Sequence, residues 1–196
     1  MMRLVIGISG ASGTIYGVRL LEVLRDVKDV ETHLVVSDSA KQNIRLETDY
    51  TVEAVEALAT ARYQFNNVAA AIASGSFKTM GMVVIPCSMK TLSSIALSAS
   101  GNLLTRAADV TLKERRRLVI VPRETPLHLG HLRLMTQAVE MGAILVPPIP
   151  AFYNRPKTID DIINQTVSRV LDLVGVELPQ DLTERWTGPR RQTKEA

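Results

Sequence analysis

Arg3–Leu24, RLVIGISGASGTIYGVRLLEVL, is the stretch on which the reading of the chain turns. Leu4-Val5-Ile6-Gly7-Ile8 is an apolar run that reads as a buried strand. The small residues Ser9-Gly10-Ala11-Ser12-Gly13 follow, and then Ile15, Val18, Leu21 and Leu24 at helical spacing. A strand passing through glycines into a helix lets a ligand approach the main chain and leaves the first helical N–H groups free. Such a helix start favours an anion by about 0.3–1 kcal/mol at an exposed site. The stretch is therefore expected to bind a phosphate.

Gly7, Gly10 and Gly13 match neither G-x-G-x-x-G nor the Walker A loop, and no Lys-Ser/Thr pair follows. Dinucleotide binders also carry an acidic residue about 20 residues further on. Here the second strand, within Val30–Val36, ends in Ser37, and Asp38 comes one step late. The pattern suits a single phosphate and a polyol better than NAD or ATP. On the glycines alone, a tight turn without any ligand stays open beside it.

A chain of 196 residues suits one domain, burying roughly 70% of its unfolded surface. No apolar run approaches the ~18 residues of a membrane span. The start runs directly into a strand without a secretory pattern, and a single cysteine fits a reducing cytoplasm. His33, His128 and His131 show no metal-ligand spacing with it, so no metal is expected. Of the net charge of +3, residues 183–196 contribute +2, from Arg185, Arg190, Arg191 and Lys194 against Glu184 and Glu195. The body is thus nearly neutral, and nucleic acid is rejected as a partner because binding it needs a basic face on the folded domain. The division expected is a single α/β domain over 1–182 and a polar, loosely attached tail over 183–196.

Ser37 or Ser39 can cap a helix running to about Glu47, and Thr51 opens another. Residues 63–81 are the least legible; their small apolar residues suggest a binding loop or, by preference, a contact between subunits. Met82–Ile85 reads as a strand closed by Pro86-Cys87-Ser88, with helices near Thr91–Leu97 and Leu103–Arg115. Leu118–Val121 is the next strand, followed by a helix over His128–Met141 and a strand over Ile144–Val146. From Thr158, the residues Ile159, Ile162, Ile163, Val167, Val170, Leu171 and Val174 form one helical face. Alternating strands and helices predict a three-layer α/β/α, Rossmann-like domain with a mostly parallel sheet. Ligands in such folds sit beyond the carboxyl ends of the strands, where strand order reverses. The turns at Ser9–Gly13, Ser37, Pro86–Thr91, Arg123-Glu124 and Phe152-Tyr153 should converge there.

Most of these residues have a structural reading as well. Ser12, Ser37 and Ser88–Thr91 could be plain caps, and Cys87 after a buried strand behaves as a small hydrophobe. Lys113, at a helix end, complements the macrodipole. Arg169 lies off its helix's apolar stripe, and Tyr153 could be packing. Arg123-Glu124, between prolines at the end of an interior strand, calls for a purpose beyond solvation. Glu47 at a helix carboxyl end is electrostatically misplaced, which favours a function. His131 and Trp186 read as structural.

GISGASG-x-x-YG, with R-A-A-D-V-x-L-K-E-R-R, V-P-R-E-x-P and F-Y-x-x-P, resembles the UbiX-type flavin prenyltransferases from about Arg3 to about Trp186. The resemblance implies a flavoprotein of HFCD-like fold that prenylates reduced FMN with dimethylallyl phosphate, at N5 and then at C6, without a metal. It implies FMN contacts at Gly10, Ala11, Ser12, Ser37, Ser88, Met89, Lys90, Thr91 and Arg123. For the substrate phosphate it implies Lys113, Arg123, Tyr153 and Arg169, partly from neighbouring subunits, and for catalysis Ser12, Glu47, Lys113 and Glu124. It further implies a homododecamer built from trimers and a UbiD-type decarboxylase that uses the product. Ser9, where many relatives have Thr, and Gly101, where some have Asn, are small departures. Two rivals are a decarboxylase in its own right and a flavin carrier without catalysis.

Overall fold

The structure is a computed structural model, and it describes residues 1–188. Arg190, Arg191, Lys194 and Glu195 of the expected tail lie outside the described residues. Among the described residues, six strands form one sheet: β1 (Met2–Ile8), β2 (Val30–Val36), β3 (Ala61–Tyr63), β4 (Gly81–Cys87), β5 (Arg117–Pro122) and β6 (Ile144–Leu145). Their order is β3-β2-β1-β4-β5-β6, and every pairing is parallel. The order reverses between β1 and β4, which places the topological switch beside the glycine-rich turn. The short edge strand β3 was not anticipated; its Ala-Arg-Tyr has neither the length nor the apolar run of the others.

In the same described residues, seven α-helices cover the sheet: α1 (Thr14–Arg25), α2 (Asp38–Glu47), α3 (Val52–Ala57), α4 (Met89–Ala96), α5 (Leu103–Lys113), α6 (Leu129–Glu140) and α7 (Ile159–Val174). Because β1, β4 and β5 are covered on both faces, they read as continuous apolar runs. One core lies between the sheet and α1, α2, α3 and α7, and includes Leu4, Ile6, Val18, Leu21, Val167 and Leu171. The other, with Val5, Val84, Leu92, Leu104 and Ala138, lies under α4, α5 and α6. The expected α/β/α layering is what forms.

Local chemistry fixes the helix starts. Ser37, Thr51, Ser88, Asn102, His128 and Thr158 each accept a first-turn N–H with the side chain. Among the α-helices of the described residues, α1 alone lacks such a cap: it begins at Gly13, whose φ of 93° lies in the left-handed region where glycine carries no steric penalty.

Part of the segment 64–80 packs within the chain itself, while Asn66–Ala69 stay exposed. Ile72 is buried, Phe65, Ala70, Ala73 and Phe77 rest on the second core, and the Phe65 carbonyl accepts the Leu103 N–H. The small apolar residues Ala70 and Ala73 thus have a partner inside the protomer, whereas Val68 is exposed. Nor do residues 183–188 hang free: Arg185 donates to both Asp172 and Asp181, and Trp186 packs edge-on against Tyr153. The Arg185–Asp172 pair joins this part of the tail to α7.

Candidate functional site

The turns after β1, β2, β4 and β5 join in a closed circuit of hydrogen bonds at the carboxyl edge of the sheet. The Ser37 N–H donates to the Ile8 carbonyl at 3.0 Å, joining the β2 turn to the end of β1. Ser9 is buried, and its N–H reaches the Pro86 carbonyl at 3.1 Å. The Ser88 N–H returns a bond to Ser9 Oγ at 2.8 Å. The Arg123 N–H donates to the Cys87 carbonyl at 3.1 Å, and its Nε donates to the Ser12 carbonyl at 3.2 Å. A guanidinium from β5 thus reaches back to the β1 turn over 111 residues of sequence. Gly10 has no room for a side chain, because a Cβ there would overlap the Cβ of Ser39 in the first turn of α2.

On this rim, Ser12 is half-buried and Ala11 buried. The Ser37 hydroxyl accepts the Ala40 N–H at 3.2 Å. Ser88 Oγ accepts the Thr91 N–H at 3.3 Å and meets Thr91 Oγ1 at 3.1 Å. Met89 packs partly on the second core, while Lys90 is exposed at the start of α4. Glu124 is exposed, and its Oε1 accepts the neighbouring Thr125 N–H at 2.9 Å. The result is a crescent of hydroxyls and amides with one guanidinium over the switch point, a donor set suited to a phosphate-bearing ligand.

At one point the sequence expectation has to be corrected. The free N–H groups of α1 were expected to take a phosphate, but Glu47 Oε2 accepts from Gly13 N at 2.8 Å, Thr14 N at 3.2 Å and Thr14 Oγ1 at 3.2 Å. The anion at this helix start is a carboxylate from the end of α2. Partial burial raises the Glu47 pKa, but the bonds from Gly13, Thr14 and the Ser12 hydroxyl outweigh it and hold the carboxyl below its usual range. This also explains an acidic residue at a helix carboxyl end: it serves the amino end of another helix. The contact spans 34 residues, so no local pattern announces it. Ser9 and Thr14 belong to the site as well, although neither falls in a pattern that distinguishes it from an ordinary turn serine or helix threonine.

Cys87 is fully buried, burial pushes its thiol well above the ordinary range, and its Sγ contacts the Ser88 carbonyl at 3.5 Å. It behaves as the small hydrophobe expected of it. Among the described residues, no group of three or more His, Cys, Asp and Glu is placed to hold a metal ion.

Of the five turns expected to converge, Phe152-Tyr153 stands apart. Both residues are exposed, and the Tyr153 ring lies 5.6 Å from that of Trp186. Arg169 is in the same neighbourhood: its Nη1 donates to Asp172 at 3.1 Å, and Asp172 also takes Arg185. Lys113 lies at the opposite edge of the sheet, because α5 ends there just before β5 begins, level with the start of β4. It pairs with Glu114 beside Gly75. Within one chain, then, the expected phosphate ligands occupy three separate places: Arg123 on the rim, Tyr153 with Arg169 along α7, and Lys113 below.

Comparison with known proteins places this geometry in a family. Residues 1–171 match the Flavoprotein family model. The flavin prenyltransferase UbiX of Escherichia coli K12 is 63% identical over 188 residues, 96% of this chain and 100% of the relative. That of Thauera aromatica is 62% identical over 187 residues, 95% of each chain. The chain belongs to the UbiX-type flavin prenyltransferases. Within that family, AnUbiX (PadA1), solved in complex with FMN and dimethylallyl pyrophosphate, superposes with a TM-score of 0.91 at 47% identity, covering 95% of this chain and 98% of that one. A dodecameric protein from Escherichia coli O157:H7, described as an FMN-dependent UbiX-like decarboxylase, gives a TM-score of 0.92 at 52% identity, over 95% of this chain and all of that one. Both superpositions extend over 95% of this chain.

Proposed function

We propose that the chain is a flavin prenyltransferase, transferring the dimethylallyl group of dimethylallyl phosphate to N5 and C6 of reduced FMN. The observation that carries this reading is the hydrogen-bonded rim over the β1/β4 switch, in a chain 63% identical to a UbiX enzyme along its length. In this reading FMN lies against Gly10–Ser12, Ser37, Ser88–Thr91 and Arg123. The flavin supplies the nucleophilic N5 and C6; the protein supplies placement and charge.

Lys113, Arg123, Tyr153 and Arg169 would hold the phosphate of the allylic ester. As its C–O bond breaks, negative charge builds on the leaving phosphate, and fixed cations there lower the barrier more than they tighten ground-state binding. Glu124, exposed on the rim, would accept and return protons at the flavin and the prenyl chain. Glu47, held ionised by the α1 amides, would keep Ser12 and the turn in place and shape the local field. Because one chain separates Arg123 from Lys113 and Arg169, the complete phosphate site is built from several copies of the chain. The dodecameric relative supports that assembly. The prenylated flavin would then leave for a UbiD-type decarboxylase in the cytoplasm.

Anaerobic incubation with reduced FMN and dimethylallyl phosphate, followed by mass spectrometry of the released flavin, tests the reading. A flavin heavier by one prenyl unit is expected. Unmodified FMN would favour a flavin carrier, and carbon dioxide released from an aromatic acid by the protein alone would favour a decarboxylase.

A further inference from the structure

Around Lys113 the chain builds more than a helix end needs. Arg116 donates from Nη2 to the Gly75 carbonyl at 2.7 Å, and from Nη1 to the Phe77 carbonyl at 2.9 Å and Thr79 Oγ1 at 3.3 Å. Arg106 Nε reaches the Ala73 carbonyl at 3.2 Å. Arg106 in the first turn of α5 and Arg116 beyond its end thus fasten residues 73–79 along that helix, and Arg116 holds Gly75 beside the Lys113–Glu114 ion pair. A Cβ on Gly75 would overlap the Glu114 carboxylate and stand 2.8 Å from Lys113 Nζ. Gly75 is not among the positive-φ glycines, so it is room for those two head groups, and not backbone freedom, that excludes a side chain. Lys113 keeps 46% of its side chain open to solvent, so its ammonium is held on one side and available on the other.

We propose that Gly75 and Glu114 are positioning residues for Lys113, holding its ammonium in one place for the phosphate of the allylic substrate. The inference rests on reading Lys113 as a ligand of that phosphate. A free lysine head loses rotamer freedom on binding an anion, whereas one already held by a carboxylate against a close-packed backbone loses less. The ammonium has three donors, so pairing with Glu114 leaves two for the substrate.

The test is a kinetic cycle on the assembled enzyme with Gly75→Ala, Lys113→Ala, the double variant and Glu114→Gln, with dimethylallyl phosphate as the varied substrate. The atoms that an alanine at 75 displaces are the far ends of flexible side chains, so the fold and assembly should persist; a native size by light scattering checks this. Gly75→Ala is expected to lower kcat/KM for dimethylallyl phosphate about fivefold, with kcat falling more than KM rises, while FMN affinity stays unchanged, and Glu114→Gln about threefold. Added to Lys113→Ala, the Gly75 change should cost nothing further, because both act through one ammonium. Additive losses, or an unchanged kcat/KM in both Gly75→Ala and Glu114→Gln, would overturn the inference while leaving the Lys113 reading intact. A Lys113→Ala enzyme with unaltered turnover would remove that reading, and this inference with it.

Discussion

Gly13 and Glu47 form the hinge of the site: the Gly13 N–H donates to the Glu47 carboxylate at 2.8 Å, so the end of α2 closes the start of α1. The turn that a ligand must approach is therefore already pinned by an internal anion. Glu47→Gln keeps the shape of that contact and removes its charge. The variant should lose about 1 kcal/mol of stability, a value scaled down for its exposure. Because the folded pKa lies below the unfolded one, this contribution is present above the unfolded value and is lost as pH falls through the folded one. Urea unfolding at neutral and acidic pH should show the two proteins differing at neutral pH and converging in acid.

Arg123 ties β5 to the β1 turn through Nε and the Ser12 carbonyl, and in the proposed site it also meets the phosphate. Arg123→Lys keeps the charge but loses the planar fork. FMN binding by fluorescence titration should weaken about tenfold in Arg123→Lys, the equivalent of about 1.4 kcal/mol. Turnover should fall at least as far.

His33 is buried; its Nδ1 lies 2.9 Å from the Tyr63 hydroxyl, and its Nε2 has no hydrogen-bond partner among the described residues. Burial lowers its pKa and outweighs the Glu31 carboxylate 3.9 Å away. The unfolded chain therefore takes up the proton first as pH falls. Stability from this residue is complete above an unfolded pKa of about 6.5 and declines below it. His33→Gln should flatten the stability curve just below neutrality, as read by denaturant midpoints.

Cys87 should be inert. Its thiol is expected to react with a chromogenic disulfide only after unfolding. Cys87→Ala should keep prenyl transfer while losing about 1–2 kcal/mol from the core.

Much of this was legible in the chain. Buried parallel strands are continuous apolar runs, and Ser37, Thr51, Ser88 and Thr158 announce helix starts by chemistry that acts within one turn. The links that make the site are of another kind. Glu47 to Gly13, Ser9 to Ser88 and Arg123 to Ser12 join residues far apart in sequence, and each depends on sheet order for its partner. The same limit hid the role of residues 73–79, whose shape comes from Arg106 and Arg116 and not from their own propensities. Lys113 carries the weakest signal in the sequence, since a cation at a helix carboxyl end already has a structural reason to be there.

If Lys113 and Arg123 of one site come from different chains, inactive variants should complement each other. Randomly mixed assemblies of Lys113→Ala and Arg123→Ala chains should regain about a quarter of the wild-type sites, those with both residues intact. Activity that stays at the level of the separate variants would mean that one chain supplies both residues.

A crystal structure grown with FMN and dimethylallyl phosphate tests the central claim most directly. The account predicts the flavin against Gly10–Ser12 and Ser88–Thr91 of one chain, with the allylic phosphate touching Arg123 of that chain and Lys113 and Arg169 across chain contacts. A flavin bound away from the β1/β4 switch, or a phosphate that neither Lys113 nor Arg169 of any copy reaches, would contradict it.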